Sequence, residues 1–141
     1  MKEFICAALG VVGSAVASFF GGWVEGMTTL IIFMIVDYVS GLVVAGVFKK
    51  STKTDTGALE SRAGFKGIFR KVFMLCLVAI AYRVDIMMQT GGTFVRDATL
   101  ITLCVNEGIS VLENLGLMGV PIPKPIKNAI DILARKNNKE E

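Results

Sequence analysis

The chain has 141 residues, of which 53% are hydrophobic and only 19% charged, with a net charge of +3. A single domain of this length cannot hide that much apolar surface from water, so lipid must cover much of it. There is no histidine, which removes imidazole general bases, serine or cysteine triads and the usual zinc sites.

The apolar residues are blocked into four runs, read as transmembrane helices over residues 4–24, 27–48, 72–88 and 98–119 of one membrane domain, 1–141. Each is long enough to approach the roughly 30 Å of a hydrocarbon core. The first carries no charge. Lys2, an apolar stretch and Ala15-Val16-Ala17 imitate a leader with its cleavage site. The run nevertheless continues through Phe19-Phe20 to Val24 without a polar start to a mature domain, so it reads as an uncleaved span. Along it Gly10, Ser14, Ser18 and Gly22 recur every four residues. Small residues at this spacing let helix backbones approach closely, within one subunit or between subunits of a homo-oligomer; Gly41 of the second run serves the same packing.

The second run contains a lone carboxylate, Asp37. A charge at the bilayer centre costs about 2.5–3.5 kcal/mol on insertion scales, so it calls for a partner helix, water or an ion. The stretch 49–71 that follows is a cytoplasmic loop rich in Lys and Arg. Within it Phe65, Ile68, Phe69 and Val72 share a helical face ringed by Lys66, Arg70 and Lys71, the pattern of an amphipathic helix in the headgroup layer.

The third run is apolar through Tyr82 and then carries Arg83 and Asp85. By depth, Arg83 is expected to reach Asp37 or Glu107 and neutralise one of them; snorkelling to the outer headgroups is the alternative. The fourth run has a polar stripe of Thr99, Thr102, Asn106, Ser110 and Glu113, widened by Glu107 and Asn114. Such a stripe cannot face lipid. It forms an internal seam, or lines a lesion once copies assemble.

Pro121 and Pro123 stop the fourth helix, and the tail 120–141 begins a second amphipathic helix with Lys124, Lys127 and Arg135 on its polar side. Residues 137–141 read as disordered. The basic loop and tail against two nearly neutral short connections place both termini in the cytoplasm, with four spans between them. Anionic membrane lipid is the expected partner of the basic residues, at about 1 kcal/mol each; nucleic acid is not. Cys6, Cys76 and Cys104 lack metal or disulfide spacing and read as packing residues. No cofactor and no catalytic site are expected.

Asp37-Tyr38-Val39-Ser40-Gly41, residues 64–71, Asp85, the stretch Asn106-Glu107-Gly108-Ile109-Ser110-Val111-Leu112-Glu113-Asn114 and Gly119-Val120-Pro121-Ile122-Pro123 occur in series. Together they resemble the bacteriophage holin family that includes clostridial toxin-secretion holins. The resemblance spans roughly residues 30 to 136. It implies a protein that is not an enzyme, accumulates in the cytoplasmic membrane of the bacterial host, and oligomerises into lesions that release an endolysin, or a large toxin, as cargo. On that reading Asp37, Arg83, Asp85, Asn106, Glu107, Ser110, Glu113 and Asn114 are the intramembrane polar groups available to line a lesion. Two other classes fit the residues alone. A small proton-coupled exporter would use Asp37 or Glu107 as its carrier carboxylate, and a membrane scaffold would dock a partner through the tail.

Overall fold

Where the helices end is dictated by backbone chemistry. After Phe19 the chain turns through Phe20, with the Gly21 N–H bonded to the Ser18 carbonyl and the Gly22 N–H to that of Ala17. The same closure ends the fourth long helix, where the N–H groups of Gly119 and Val120 bond the carbonyls of Gly116 and Leu115. Gly21 and Gly119 both sit at positive φ, +76° and +77°, a conformation that a Cβ disfavours. Pro121 and Pro123 then block any continuation.

The computed structural model describes residues 1–139 and is all-helical. Five helices follow one another: α1 (Lys2–Phe19), α2 (Glu25–Val43, prolonged by a π-helical turn over Val44–Phe48), α3 (Ser61–Met88), α4 (Phe94–Leu117) and α5 (Lys124–Asn138). Three of them are long and apolar enough to cross a membrane: α1, α2 with its extension (Glu25–Phe48) and α4.

Helices α2, α3 and α4 pack side by side. Their shared core is Met27, Leu30 and Met34 from α2, Val78 from α3, and Leu100 and Leu103 from α4. Between helices in lipid, where burial from water gives no drive, such a cluster holds by close van der Waals packing. Many other apolar side chains, among them Ile32, Ile35, Leu77 and Ile80, are exposed, as a lipid-facing surface requires.

Three expectations are corrected. First, the amphipathic stretch of the loop is not a separate interfacial helix; it is the first half of α3, which runs unbroken for 28 residues. No proline separates Phe65–Val72 from the apolar run, so one helix continues through both. Second, α5 does not lie apart on a surface. It folds back along α4, with Ile130 Cδ1 lying against Gly108 and beside Phe33. The missing side chain at Gly108 provides the room. Helix α5 also reaches Asn138, into the stretch read as disordered; residues 140 and 141 of that stretch lie outside the described residues. Third, the first helix stops at Phe19, so Gly22 falls in the following turn at φ +93° and drops out of the small-residue stripe.

None of the residues of helix α1 is buried. Gly10 and Gly13 have open space where a Cβ would stand, so at these positions its small-residue face meets nothing among the described residues.

Candidate functional site

Asp37 and Ser40 are three residues apart on α2, and Glu107, Ser110 and Asn114 follow at three- and four-residue steps on α4. This periodicity turns both sets to the α2–α4 contact. There Lys71 of α3 enters from the third side. Its Nζ lies 2.7 Å from Asp37 Oδ2 and also donates to Glu107 Oε2. Ser110 donates its hydroxyl proton to Asp37 Oδ1. The Asn114 amide nitrogen lies 3.1 Å from that oxygen, 3.1 Å from the Asp37 carbonyl and 2.9 Å from Ser40 Oγ. Gly41 borders this contact; a Cβ there would stand 3.7 Å from Asn114 Nδ2, an ordinary van der Waals distance.

Both carboxylates are 4% exposed, a condition that an unpaired charge would not tolerate. One ammonium serves two acids, so the group is balanced only when Lys53 is counted; its Nζ is 3.9 Å from Asp37 Oδ1 and it comes from the loop with a half-exposed side chain. Beside this seam opens a cavity of about 240 Å³ between α2, the loop and the start of α3.

A second charged layer closes the opposite end of the bundle. Asp85, 2% exposed, accepts the Val95 and Arg96 N–H bonds at 2.9 Å each, so α3 caps the N-terminus of α4. Arg96 is buried too. Its Nη1 donates to the carbonyls of Phe20 and Gly21 at 3.0 and 2.9 Å, its Nε to Asp97 Oδ1 at 2.9 Å, and its guanidinium carbon lies 6.0 Å from the Tyr82 ring centroid. A Cβ at Gly21 would overlap that ring. Arg96 therefore ties the end of α1 to the bundle.

Along α3, Lys71 and Asp85 are 14 residues apart, about 21 Å; along α4, Arg96 and Glu107 are 11 apart, about 17 Å. An apolar slab of that thickness separates the two charged layers.

Several expected site residues go elsewhere. Arg83 is exposed and has no ion pair among the described residues, so it neutralises neither Asp37 nor Glu107. It lies 12 positions beyond Lys71, about 18 Å along the axis and a third of a turn around it, on the outward face. Lys71, read as a headgroup-layer cation, is their partner instead, with its side chain partly buried. Asp85 faces a helix end rather than the seam. Asn106 borders the cavity but is exposed, and Glu113 is exposed. Lys66 and Arg70 stand at the cavity, while Lys124, Lys127 and Arg135 are exposed along α5. Gly10, Ser14 and Ser18 remain on the uncovered surface of α1. Arg96 escapes a sequence reading because the Arg96-Asp97 pair cancels in a charge count; its place in the first turn of a helix, four residues after the Gly91-Gly92 turn, is the usable signal.

A sequence profile described as the bacteriophage holin family matches residues 14–135. The chain belongs to the bacteriophage holin family. Among its relatives are an uncharacterised protein of Halalkalibacterium halodurans, 36% identical with 99% of this chain and all of that one aligned, and one of Listeria innocua, 38% identical over 97% and 93%. A probable holin of Bacillus phage phi105 is 29% identical over 84% of this holin-family chain and 82% of its own length. No solved structure matches significantly. The holin family is not an enzyme family, and it places this chain among membrane proteins.

Proposed function

We propose that this protein is a holin that accumulates in the bacterial cytoplasmic membrane, assembles with copies of itself, and opens lesions through which an endolysin passes to the cell wall. The observation that carries this reading is the family match over residues 14–135. A single membrane domain with four spans and both termini in the cytoplasm agrees with it. Helices α1, α2 and α4 have the length and apolarity, and α3 packs against both α2 and α4, so a membrane that encloses those two encloses α3.

The mechanism follows from where the polar groups are kept. In one copy Asp37, Lys71, Glu107, Ser110 and Asn114 satisfy one another, so the bundle tolerates lipid. In an assembly the same groups are able to exchange these partners for water, which turns the seam into a wetted wall. Accumulation drives the exchange by mass action, because only the assembled state gains from added copies. The face of α1 carrying Gly10, Ser14 and Ser18 is free to make the first contacts between copies.

Toxin export would use the same lesion with a different cargo. The exporter alternative loses support, since Lys71 occupies both carboxylates that a proton or cationic drug would need. Inducible expression beside a cytoplasmic lysozyme tests the proposal. Growth should stop abruptly after a delay, with collapse of membrane potential and release of the lysozyme. Continued growth with the enzyme retained, at a confirmed membrane level of the protein, would reject it; altered drug tolerance alone would favour export.

A further inference from the structure

The cavity beside the seam has an apolar floor and a basic rim, and on the seam side the Asp37 and Glu107 carboxylates, already paired with Lys71, with Glu60 at the loop. The floor is formed by Leu42, Ala45 and Leu59 with the Tyr38 ring, and the rim holds Lys53, Lys66 and Arg70. Lys66 and Arg70 are one helical turn apart on α3, so their charges converge on one spot. Neither makes an ion pair with another described residue. Glycines at 64 and 67 keep the α3 wall low: a Cβ at Gly64 would stand 3.5 Å from the Tyr38 hydroxyl, and one at Gly67 3.6 Å from the Tyr38 ring. That hydroxyl has no hydrogen-bond partner among the described residues and is available as a donor. On the same stretch of α3, Phe65, Ile68 and Phe69 are exposed, which carries the apolar surface from the cavity out into the membrane.

We propose that this cavity is a binding site for one anionic phospholipid, its phosphate held by Lys66, Arg70 and Lys53 and its upper acyl chain laid over Leu42, Ala45 and Leu59. A free phosphate would satisfy the cations but leave the apolar floor bare, so the charge pattern and the floor together select a lipid. The ligand differs from the diffuse layer of anionic lipid that any basic face attracts, because it enters a defined recess. Lys53 also stands 3.9 Å from Asp37, so headgroup and seam share a cation, and occupancy of the recess bears on the charge balance of the closed bundle. The site rests on the membrane placement proposed above.

Native mass spectrometry of the full chain, extracted from bilayers of equal phosphatidylglycerol and phosphatidylcholine, tests it. The wild type should retain phosphatidylglycerol selectively. Lys66→Gln with Arg70→Gln should weaken retention about 25-fold, at about fivefold per lost charge. Lys124→Gln with Lys127→Gln on α5, an equal loss of charge away from the cavity, should leave it unchanged. Gly67→Leu keeps every charge, fills the recess and should also release the lipid. Wild-type retention by the Lys66/Arg70 variant or by Gly67→Leu overturns the site, as does an equal loss in the α5 variant. Displacement of the lipid by millimolar inorganic phosphate would overturn the lipid assignment. Flotation with the same bilayers reads membrane placement separately: a variant that floats but holds no lipid defeats the recess alone, and a wild type that does not float defeats the placement.

Discussion

The two charged layers solve the same problem differently. At the Asp85 end the carboxylate binds backbone N–H groups of a helix terminus and the guanidinium binds two backbone carbonyls beside the Asp97 carboxylate, so all partners but one have positions that the fold fixes. At the Asp37 end every partner but one is a side chain, and a single ammonium is divided between two acids. Backbone partners cannot leave without undoing a helix end. Side-chain partners can be replaced by water one at a time, which makes the Asp37 layer the convertible one and the Asp85 layer the anchor.

Removing the shared cation should have the largest effect. Lys71→Met leaves two buried carboxylates unbalanced and should cost about 3–5 kcal/mol, seen as a collapse of membrane-inserted protein; adding Asp37→Asn should restore part of it. Arg96→Gln is next, at about 1.5–3 kcal/mol for charge-assisted bonds to carbonyls. Its signature should be local: a spin label on α1 becomes mobile while the α2–α4 thermal transition moves little. Asp85→Ala, the loss of a cap, should cost about 0.5–2 kcal/mol in thermal unfolding. A cost matching that of Lys71→Met would break the distinction between the layers. Smallest of all, Arg83→Ala should change stability by no more than about 0.5 kcal/mol, and any larger change would put Arg83 back among the structural charges.

Much of the convertible layer could be read from the chain itself. Asp37 in an apolar run and the three- and four-residue steps of Glu107, Ser110 and Asn114 are visible without coordinates, because helical periodicity fixes which side chains share a face. Lys71 was hidden by its neighbours: among Lys66 and Arg70 it counts as one more loop cation, and only the unbroken course of α3 turns it inward. Arg83 misled for the converse reason, since depth along a helix was weighed without rotation around it. The return of α5 onto α4 depends on Gly108 meeting Ile130, a long-range fit that no local pattern encodes.

The separation of the layers, about 21 Å along α3 and about 17 Å along α4, bears on the barrier that each copy presents. In the membrane placement proposed above, the outward surface stays apolar beyond the Asp37 layer, as at Val47, Phe65 and Phe69, so a bilayer of roughly 30 Å need not thin around a closed copy. Once water replaces the side-chain partners of the Asp37 layer, the oil barrier left in that copy shrinks to the slab between the layers.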